Sequence, residues 1–89
     1  MQTENKCYVC DTTLNLEEHH VFGGANRKLS EKYGLKIKLC HTHHNEPPAG
    51  FHFNKVLADK IRQEAEIKFI EHYKSNKEEF RKIFGKNFI

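Results

Sequence analysis

Two pairs of candidate metal ligands, Cys7-x-x-Cys10 and Cys40-x-x-His43, most constrain how this chain of 89 residues can fold. Each pair has the spacing of a knuckle that points both side chains at one ion, and four Cys and His ligands close a tetrahedral zinc site. The sequence therefore predicts a structural zinc, with no open coordination position for chemistry. The alternative is that Cys7 and Cys10 are buried thiols and His43 is a surface histidine. Structural zinc contributes on the order of 10 kcal/mol to folding in small peptides, which is large beside the marginal stability of one small domain.

The composition is typical of one small intracellular domain over residues 1–89. Three cysteines cannot all pair as disulfides, and in a reducing compartment thiols more often bind metal. Hydrophobic residues make up 37% of the chain, and no apolar run approaches the roughly 18 residues that a membrane span requires. The N-terminal residues are too polar for a signal peptide. We expect a cytoplasmic protein with no membrane partner.

The formal net charge of +3 is distributed unevenly along the chain. Residues 1–25 carry one basic and four acidic side chains, whereas residues 26–38 carry five basic side chains and a single acid, Glu31. A basic segment of this kind can neutralise phosphates, although lysines on a solvated loop would produce the same pattern. Charge alone does not decide between these two readings.

Two short strands on either side of a loop are predicted for the first half of the chain. The predicted order is a strand near residues 18–22, a mobile basic loop at 25–33, a strand at 35–39 and a helical turn at 40–46. Gly23-Gly24 breaks the first strand, and the alternation of Leu35, Ile37 and Leu39 indicates the second. Pro47-Pro48 prevents the helical turn from continuing, because proline removes a donor and restricts the residue before it.

Two helices are predicted for residues 54–85. Asn54 is a good N-cap for the first helix, in which apolar residues recur every four positions on a slowly drifting face. Ser75 and Glu78 match a capping box for the last helix, which ends at Gly85. The apolar residues expected to pack in the core are Leu57, Ala58, Ile61, Ala65, Phe69, Tyr73, Phe80, Ile83 and Phe84.

Once His43 is assigned to zinc, the other histidines differ in what their positions predict. His19 and His20 are adjacent near the end of a strand, so their side chains should point to opposite faces and can serve different purposes. His44 directly follows a zinc ligand, which would anchor its backbone and make its imidazole a well-positioned ligand for a second ion. We expect His41 and His72 to be ordinary surface residues.

These residues together resemble the HNH endonuclease family, whose ββα-metal motif, or His-Me finger, consists of two strands, a connecting loop and a helix. The Cys-x-x-Cys pair, the His19-His20 pair, the glycine-rich loop and Cys40-x-x-His43-His44 follow the order of the zinc-bearing branch of that family. The stretches HHVFGGANRK and LCHTHHN are further similar to small phage-encoded HNH proteins and to phage recombination-enhancing nucleases. The resemblance covers about residues 7–54. It implies an α+β fold in which a zinc-stabilised ββα-metal core precedes two C-terminal helices at 54–85.

The resemblance implies a metal-dependent endonuclease that hydrolyses DNA phosphodiester bonds. His20 would be the general base that takes a proton from the attacking water, a role suited to imidazole near neutral pH. Asn26 would orient the imidazole of His20. His19 and His44 would hold the catalytic divalent ion, Mg²⁺ or Mn²⁺ in most such sites, with Zn²⁺ or Ni²⁺ as alternatives. Cleavage would leave 5′-phosphate and 3′-hydroxyl ends.

Two features depart from the family pattern. Asn26 is the only asparagine between His20 and Cys40, and it stands earlier in the loop than the family's asparagine does. Pro47-Pro48 shortens the family's helix and removes the position of a further histidine ligand. His52 either replaces that ligand or lies near a helix cap.

DNA is the partner that the resemblance implies, in the cytoplasm of a bacterial or phage-infected cell. Arg27, Lys28 and Lys32 are expected to bind its phosphates. A recombinase filament or a second copy of the chain would supply specificity. The alternative function is a zinc-binding module that contacts nucleic acid or protein without cleaving, whereas a zinc deaminase is disfavoured because its His-x-Glu and Pro-Cys-x-x-Cys pattern is missing.

Overall fold

The computed structural model describes the whole chain, Met1 to Ile89, as an α+β fold with one two-stranded sheet and four α-helices. The strands are β1 (Leu16–His20) and β2 (Lys36–Cys40), and the helices are α1 (Arg27–Lys32), α2 (His41–Asn45), α3 (Lys55–Tyr73) and α4 (Lys77–Phe84). A short 3₁₀ turn, Gly24–Asn26, leads into α1. None of the helices is long and apolar enough to cross a membrane. The α+β class predicted from the sequence is confirmed.

The two strands pair antiparallel, and their register separates a core face from an outer face. His19 lies opposite Ile37, and both are buried together with Leu39. The neighbouring pair, His20 opposite Lys36, points to the other face because successive side chains of a strand alternate. The alternation predicted for the second strand is confirmed, and the two adjacent histidines do face opposite sides of the sheet.

The segment predicted to be a mobile loop contains helix α1, so that prediction is wrong. Ser30 binds this helix to the chain that leaves β1: its hydroxyl accepts a hydrogen bond from the Phe22 amide at 3.0 Å and donates to the Phe22 carbonyl at 2.8 Å. The amide of Leu35 in turn donates to the Ser30 carbonyl at 2.9 Å. Since Phe22 bonds to Ser30 rather than to a strand, β1 ends at His20 and not at the predicted residue 22. Such a short helix depends on tertiary contacts, which local sequence patterns do not reveal.

Helix α2 follows β2 directly, and the chain then folds back against it. Gly50 permits the close approach, because a Cβ atom at this position would lie 2.9 Å from the backbone nitrogen and oxygen of Glu46. The Gly50 amide donates to the Glu46 carbonyl at 2.6 Å, and the Phe51 amide also bonds to the backbone of α2. This return brings His52 beside His44. That is the position expected if His52 replaces the missing histidine ligand.

Side-chain caps set the starts of the two C-terminal helices. The Asn54 side chain accepts a hydrogen bond at 3.1 Å from the amide three residues later, which confirms the predicted start of α3. Helix α4 begins one residue later than predicted, because Asn76 and not Ser75 is its cap. The Asn76 side chain accepts from the Glu79 amide at 2.9 Å and donates to the Glu79 carboxylate at 3.1 Å. Both candidate caps have a glutamate three residues later, so the capping pattern did not distinguish them. Gly85, at φ +94°, ends α4 as predicted.

The inner face of α3 forms the centre of the core. Ala58, Ile61, Ala65 and Phe69 are buried, whereas Tyr73, the last member of the predicted stripe, is 44% exposed. A spacing of four residues advances about 400° around a helix, so the stripe drifts away from the core after several turns. The other buried core residues are Cys7, Val21, Phe22, Leu35, Ile37, Leu39, Cys40, Phe51, Phe80 and Phe84.

A buried carboxylate on α3 holds the C-terminal tail in place. Glu66 is fully buried and accepts hydrogen bonds from the amides of Phe88 at 2.5 Å and Ile89 at 3.2 Å. The side-chain amide of Asn87 donates to it at 2.8 Å. These donors replace the water that a carboxylate loses on burial, so the charge is tolerated inside the protein.

We expect Glu66→Ala to lower the free energy of unfolding by about 3 kcal/mol, because three donors lose their acceptor together. The measurement is urea denaturation of the zinc-loaded protein. Glu71→Ala, at an exposed position of the same helix, is the control and should change stability by less than about 0.5 kcal/mol. Equal midpoints for the two variants would show that the tail does not depend on this carboxylate.

Candidate functional site

Cys7, Cys10, Cys40 and His43 lie together, with their ligand atoms all within 4.8 Å of one another. We call this group the four-ligand cluster. The sulfur atoms of Cys10 and Cys40 are 3.8 Å apart, which equals the separation of about 3.8 Å that two sulfurs keep on a tetrahedral zinc with bonds of about 2.3 Å. All three cysteines are free of disulfides. The cluster therefore has the ligands and the spacing to hold a metal such as zinc.

The position of His43 also fits a shared ion. Its Nδ1 lies 3.2 Å from the Cys40 sulfur and 4.0 Å from the Cys7 sulfur, and these distances bracket the about 3.5 Å expected for nitrogen and sulfur on one tetrahedral zinc. Burial raises the pKa of the Cys7 thiol, but hydrogen bonds from the backbone amides of Cys40, Cys10 and Val9 outweigh it and lower that pKa to about 6. The thiolate is the form that binds metal. Burial raises the pKa of Cys40, whose proton a bound metal would displace.

Cys10→Ala should abolish stoichiometric zinc binding and unfold the protein, because three ligands no longer close the tetrahedral site. Zinc content by mass spectrometry and melting by circular dichroism measure the two effects. His72→Ala, an exposed histidine on α3, should keep both zinc and the melting temperature. A Cys10→Ala protein that melts like wild type without zinc would contradict the assignment.

His19, His44 and His52 form a second group, the three-histidine cluster, whose ligand atoms also lie within 4.8 Å of one another. The Nδ1 atom of His19 is 3.2 Å from the Nε2 atom of His44. Two nitrogens bound to one tetrahedral ion at about 2.05 Å would be about 3.3 Å apart, so this spacing suits a shared metal. The ring of His52 lies 5.1 Å from that of His44 and 5.4 Å from that of His19, centre to centre. The structure thus brings His52, for which a ligand role was one of two alternatives, together with His19 and His44, which were predicted to hold a second ion.

His19 sits in an apolar environment that keeps it neutral. It is 4% exposed, and its ring centre lies 4.1 Å from that of Phe51. Burial, followed by the charges of His44 and His52, lowers the pKa of His19 to about 3. Burial also lowers the pKa of His52. Neutral imidazole is the form that binds metal. The buried Nε2 of His19 has no hydrogen-bond partner in the protein, a demand that an ordered water beside the ring would satisfy.

Glu17 orients His44 toward the three-histidine cluster. One carboxylate oxygen accepts hydrogen bonds from His44 Nδ1 at 2.8 Å and from the Asn45 side chain at 3.0 Å, and the other accepts from His41 Nδ1 at 3.0 Å. Because His44 donates its Nδ1 hydrogen to Glu17, the Nε2 lone pair remains for a metal. These bonds, the one from His44 first, lower the pKa of Glu17. Glu17 was not predicted from the sequence, although its position two residues before His19 places both on one strand face.

Glu17→Ala should weaken metal binding at the three-histidine cluster by about 10- to 100-fold, because the tautomer and orientation of His44 are no longer fixed. The measurement is calorimetric titration of Ni²⁺ into protein whose four-ligand cluster already holds zinc. Glu18→Ala is the matched control, since Glu18 follows directly in β1 but points to the other face of the sheet. If both variants bind Ni²⁺ like wild type, Glu17 does not support the site.

His20 opens onto a shallow groove on the outer face of the hairpin. The groove is lined by Glu18, His20, Arg27, Lys28, Glu31 and Lys32. The Nε2 atom of His20 is hydrogen-bonded to the Glu31 carboxylate at 2.8 Å. That bond, followed by one from Lys36, lowers the pKa of Glu31 and keeps it ionised. The candidate base and the three basic residues predicted to bind phosphate therefore share one surface, which we call the basic groove.

Asn26 forms no hydrogen bond with His20, contrary to the expectation from the resemblance. Its side-chain amide donates to the carbonyl of Phe84 at 2.9 Å and so connects the start of α1 to the end of α4. Glu31 holds the ring of His20 instead. The only signal for Glu31 in the sequence was its position as the single acid within a basic segment.

Arg62 of α3 adds a positive charge beside the three-histidine cluster. Its guanidinium lies 5.1 Å from the centre of the Phe51 ring, which itself packs against His19. After burial and the neighbouring histidines, the charge of Arg62 contributes to the lowered pKa of His19. Arg62 was not predicted from the sequence, because only the tertiary packing of α3 brings it near Phe51.

Comparison of the chain with protein-family models, with curated proteins and with solved structures finds no match. The resemblance carried by HHVFGGANRK and LCHTHHN therefore stays a prediction. Function has to be inferred from the geometry of the two clusters and the basic groove.

Proposed function

We propose that this chain is a metal-dependent endonuclease of the HNH type that hydrolyses phosphodiester bonds in DNA. The strongest support is the end of β1, where His19 enters the three-histidine cluster and His20 opens onto the basic groove. A metal ligand and a candidate base are thereby adjacent in the chain. In the proposed nuclease the scissile phosphate would bind at this strand end.

The order of elements agrees with a ββα-metal motif. Strands β1 and β2 pair antiparallel, and α2 follows β2 without an intervening loop. His19 near the end of β1 and His44 on α2 then face one another at 3.2 Å. In the proposed nuclease the four-ligand cluster is structural, and it anchors α2 through His43, the residue before His44.

The three-histidine cluster would hold the catalytic ion. Its ligands are all imidazoles, which suit Zn²⁺, Ni²⁺ and other transition metals, whereas Mg²⁺ prefers oxygen ligands. Within the range of ions considered from the sequence, the ligand set therefore favours Zn²⁺ or Ni²⁺ over Mg²⁺ and Mn²⁺. When bound, the ion would supply positive charge to the scissile phosphate and to the departing 3′ oxygen.

His20 would act as the general base of the reaction. The water oxygen forms a bond to phosphorus while its proton passes to the His20 ring, and the bond between phosphorus and the 3′ oxygen breaks. The 3′ oxygen takes a proton from solvent, so the products carry 5′-phosphate and 3′-hydroxyl ends. Arg27, Lys28 and Lys32 would bind the neighbouring phosphates of the DNA strand. A second copy of the chain or a recombinase filament would direct the enzyme to its site.

A zinc-binding module that contacts nucleic acid without cleaving it is the second candidate. The four-ligand cluster and the basic groove are sufficient for that function. It leaves the three-histidine cluster without a purpose, and burying His19 with one ring nitrogen unpartnered carries a cost in stability. The nuclease proposal accounts for both clusters.

Wild-type protein with zinc in the four-ligand cluster should nick supercoiled plasmid when Mn²⁺, Ni²⁺, Zn²⁺ or Mg²⁺ is added. His20→Ala and His44→Ala should each reduce the nicking rate by about 100-fold or more, because the first removes the base and the second a metal ligand. Agarose gel electrophoresis of the relaxed product measures the rate.

His72→Ala is the matched control for loss of a histidine, and all variants must keep wild-type zinc content and circular dichroism. Absence of nicking by wild type with every metal would reject the enzyme in favour of the binding module. Equal nicking by wild type and folded His20→Ala would reject His20 as the base.

A further inference from the structure

We infer that Glu31 is the positioning residue for His20, holding the imidazole so that its Nδ1 atom faces the attacking water. This inference rests on the proposed function, in which His20 is the general base. Glu31 itself would touch neither the DNA nor the metal. Its effect would pass through the hydrogen bond to His20.

The hydrogen bond determines which ring nitrogen is free. Nε2 of His20 lies 2.8 Å from a carboxylate oxygen of Glu31. An ionised carboxylate only accepts, so Nε2 carries the hydrogen and the lone pair lies on Nδ1. Nδ1 makes no hydrogen bond within the protein and is not buried. The side chain of His20 is only 12% exposed, so the small part of the ring that solvent reaches includes the nitrogen that can accept a proton.

The Glu31 carboxylate is itself held in place. Lys36, directly opposite His20 in the hairpin, bonds to it at 3.2 Å and also lies 3.6 Å from Glu18. The backbone of Glu31 follows Ser30, whose hydroxyl bonds to both backbone groups of Phe22. Two rigid elements, β2 and α1, therefore fix the carboxylate, and a group held on rigid elements can orient its partner accurately.

Loss of Glu31 should leave the fold intact and disturb only the ring of His20. The Glu31 side chain is 57% exposed, and exposed ion pairs contribute little to stability. Without the carboxylate the ring can rotate and the Nδ1–H tautomer becomes accessible, which places a hydrogen where the base needs a lone pair. The consequence is a lower rate of the chemical step at unchanged DNA binding.

Glu18 provides a matched control. It lies in the same groove, carries the same charge and pairs with the same lysine, but it makes no hydrogen bond to His20. Glu18→Ala and Glu31→Ala change the charge of the groove equally. A difference between these two variants therefore reports the hydrogen bond and not the field of the groove.

The test compares nicking by wild type, Glu31→Ala, Glu31→Gln and Glu18→Ala over a range of plasmid concentrations. Glu31→Ala should lower kcat by about 10-fold with KM within about twofold of wild type. Glu18→Ala, which changes the charge of the groove without removing the hydrogen bond to His20, should lower kcat by less than Glu31→Ala does. Glu31→Gln, whose amide oxygen can still accept the bond, should fall between wild type and Glu31→Ala.

A second readout does not depend on activity. Long-range ¹⁵N–¹H correlation spectra at about pH 8, where free imidazole is neutral, should show the Nε2–H tautomer of His20 in wild type and in Glu18→Ala, and a mixture of tautomers in Glu31→Ala. If wild type does not nick, the proposed function fails and the catalytic meaning of the contact fails with it. If wild type nicks and His20→Ala does not, but Glu31→Ala matches Glu18→Ala in kcat and tautomer, this inference alone is overturned.

Discussion

The convergence of Cys7, Cys10, Cys40 and His43 on one point organises the rest of the structure. Cys10 and Cys40 are 30 residues apart in the chain, yet their sulfurs lie 3.8 Å from each other. Cys40 ends β2 and His43 lies in α2, so a metal in this cluster fixes the angle between strand and helix. Two strands of five residues each would not be stable alone. A metal held by these four ligands would supply the cross-link that such a small sheet lacks.

Adjacent residues belong to different sites at both ends of this arrangement. His43 faces the four-ligand cluster while His44 faces the three-histidine cluster, and His19 enters that cluster while His20 opens onto the basic groove. His44 and His20 each have their own carboxylate partner, which is Glu17 for His44 and Glu31 for His20. These two acids bind opposite ring nitrogens, Nδ1 of His44 and Nε2 of His20. The two tautomers are thus set independently, and in the proposed nuclease one serves a metal ligand and the other a base.

Local patterns predicted the elements well where a side chain acts on its own neighbourhood. Asn54 caps α3, Gly85 ends α4, and Leu35, Ile37 and Leu39 point to the core, because capping, positive φ and strand alternation are short-range effects. Helix α1 was missed because it is stabilised by the bonds between Ser30 and Phe22 across eight residues. Asn26 does not form the bond expected of it for a related reason. Its side chain donates instead to the carbonyl of Phe84, 58 residues away.

The sequence by itself determined the ligand pairs, since the spacings Cys-x-x-Cys and Cys-x-x-His place two donors on one turn whatever the rest of the chain does. It also determined that His19 and His20 face opposite sides, because side chains of a strand alternate. Only the tertiary structure decided which groups meet these histidines. His52 reaches the cluster because Gly50 lets the backbone return against α2, and Glu31 reaches His20 because α1 is bonded to the end of β1. Such contacts join residues through chain closure and packing, and no local spacing encodes them.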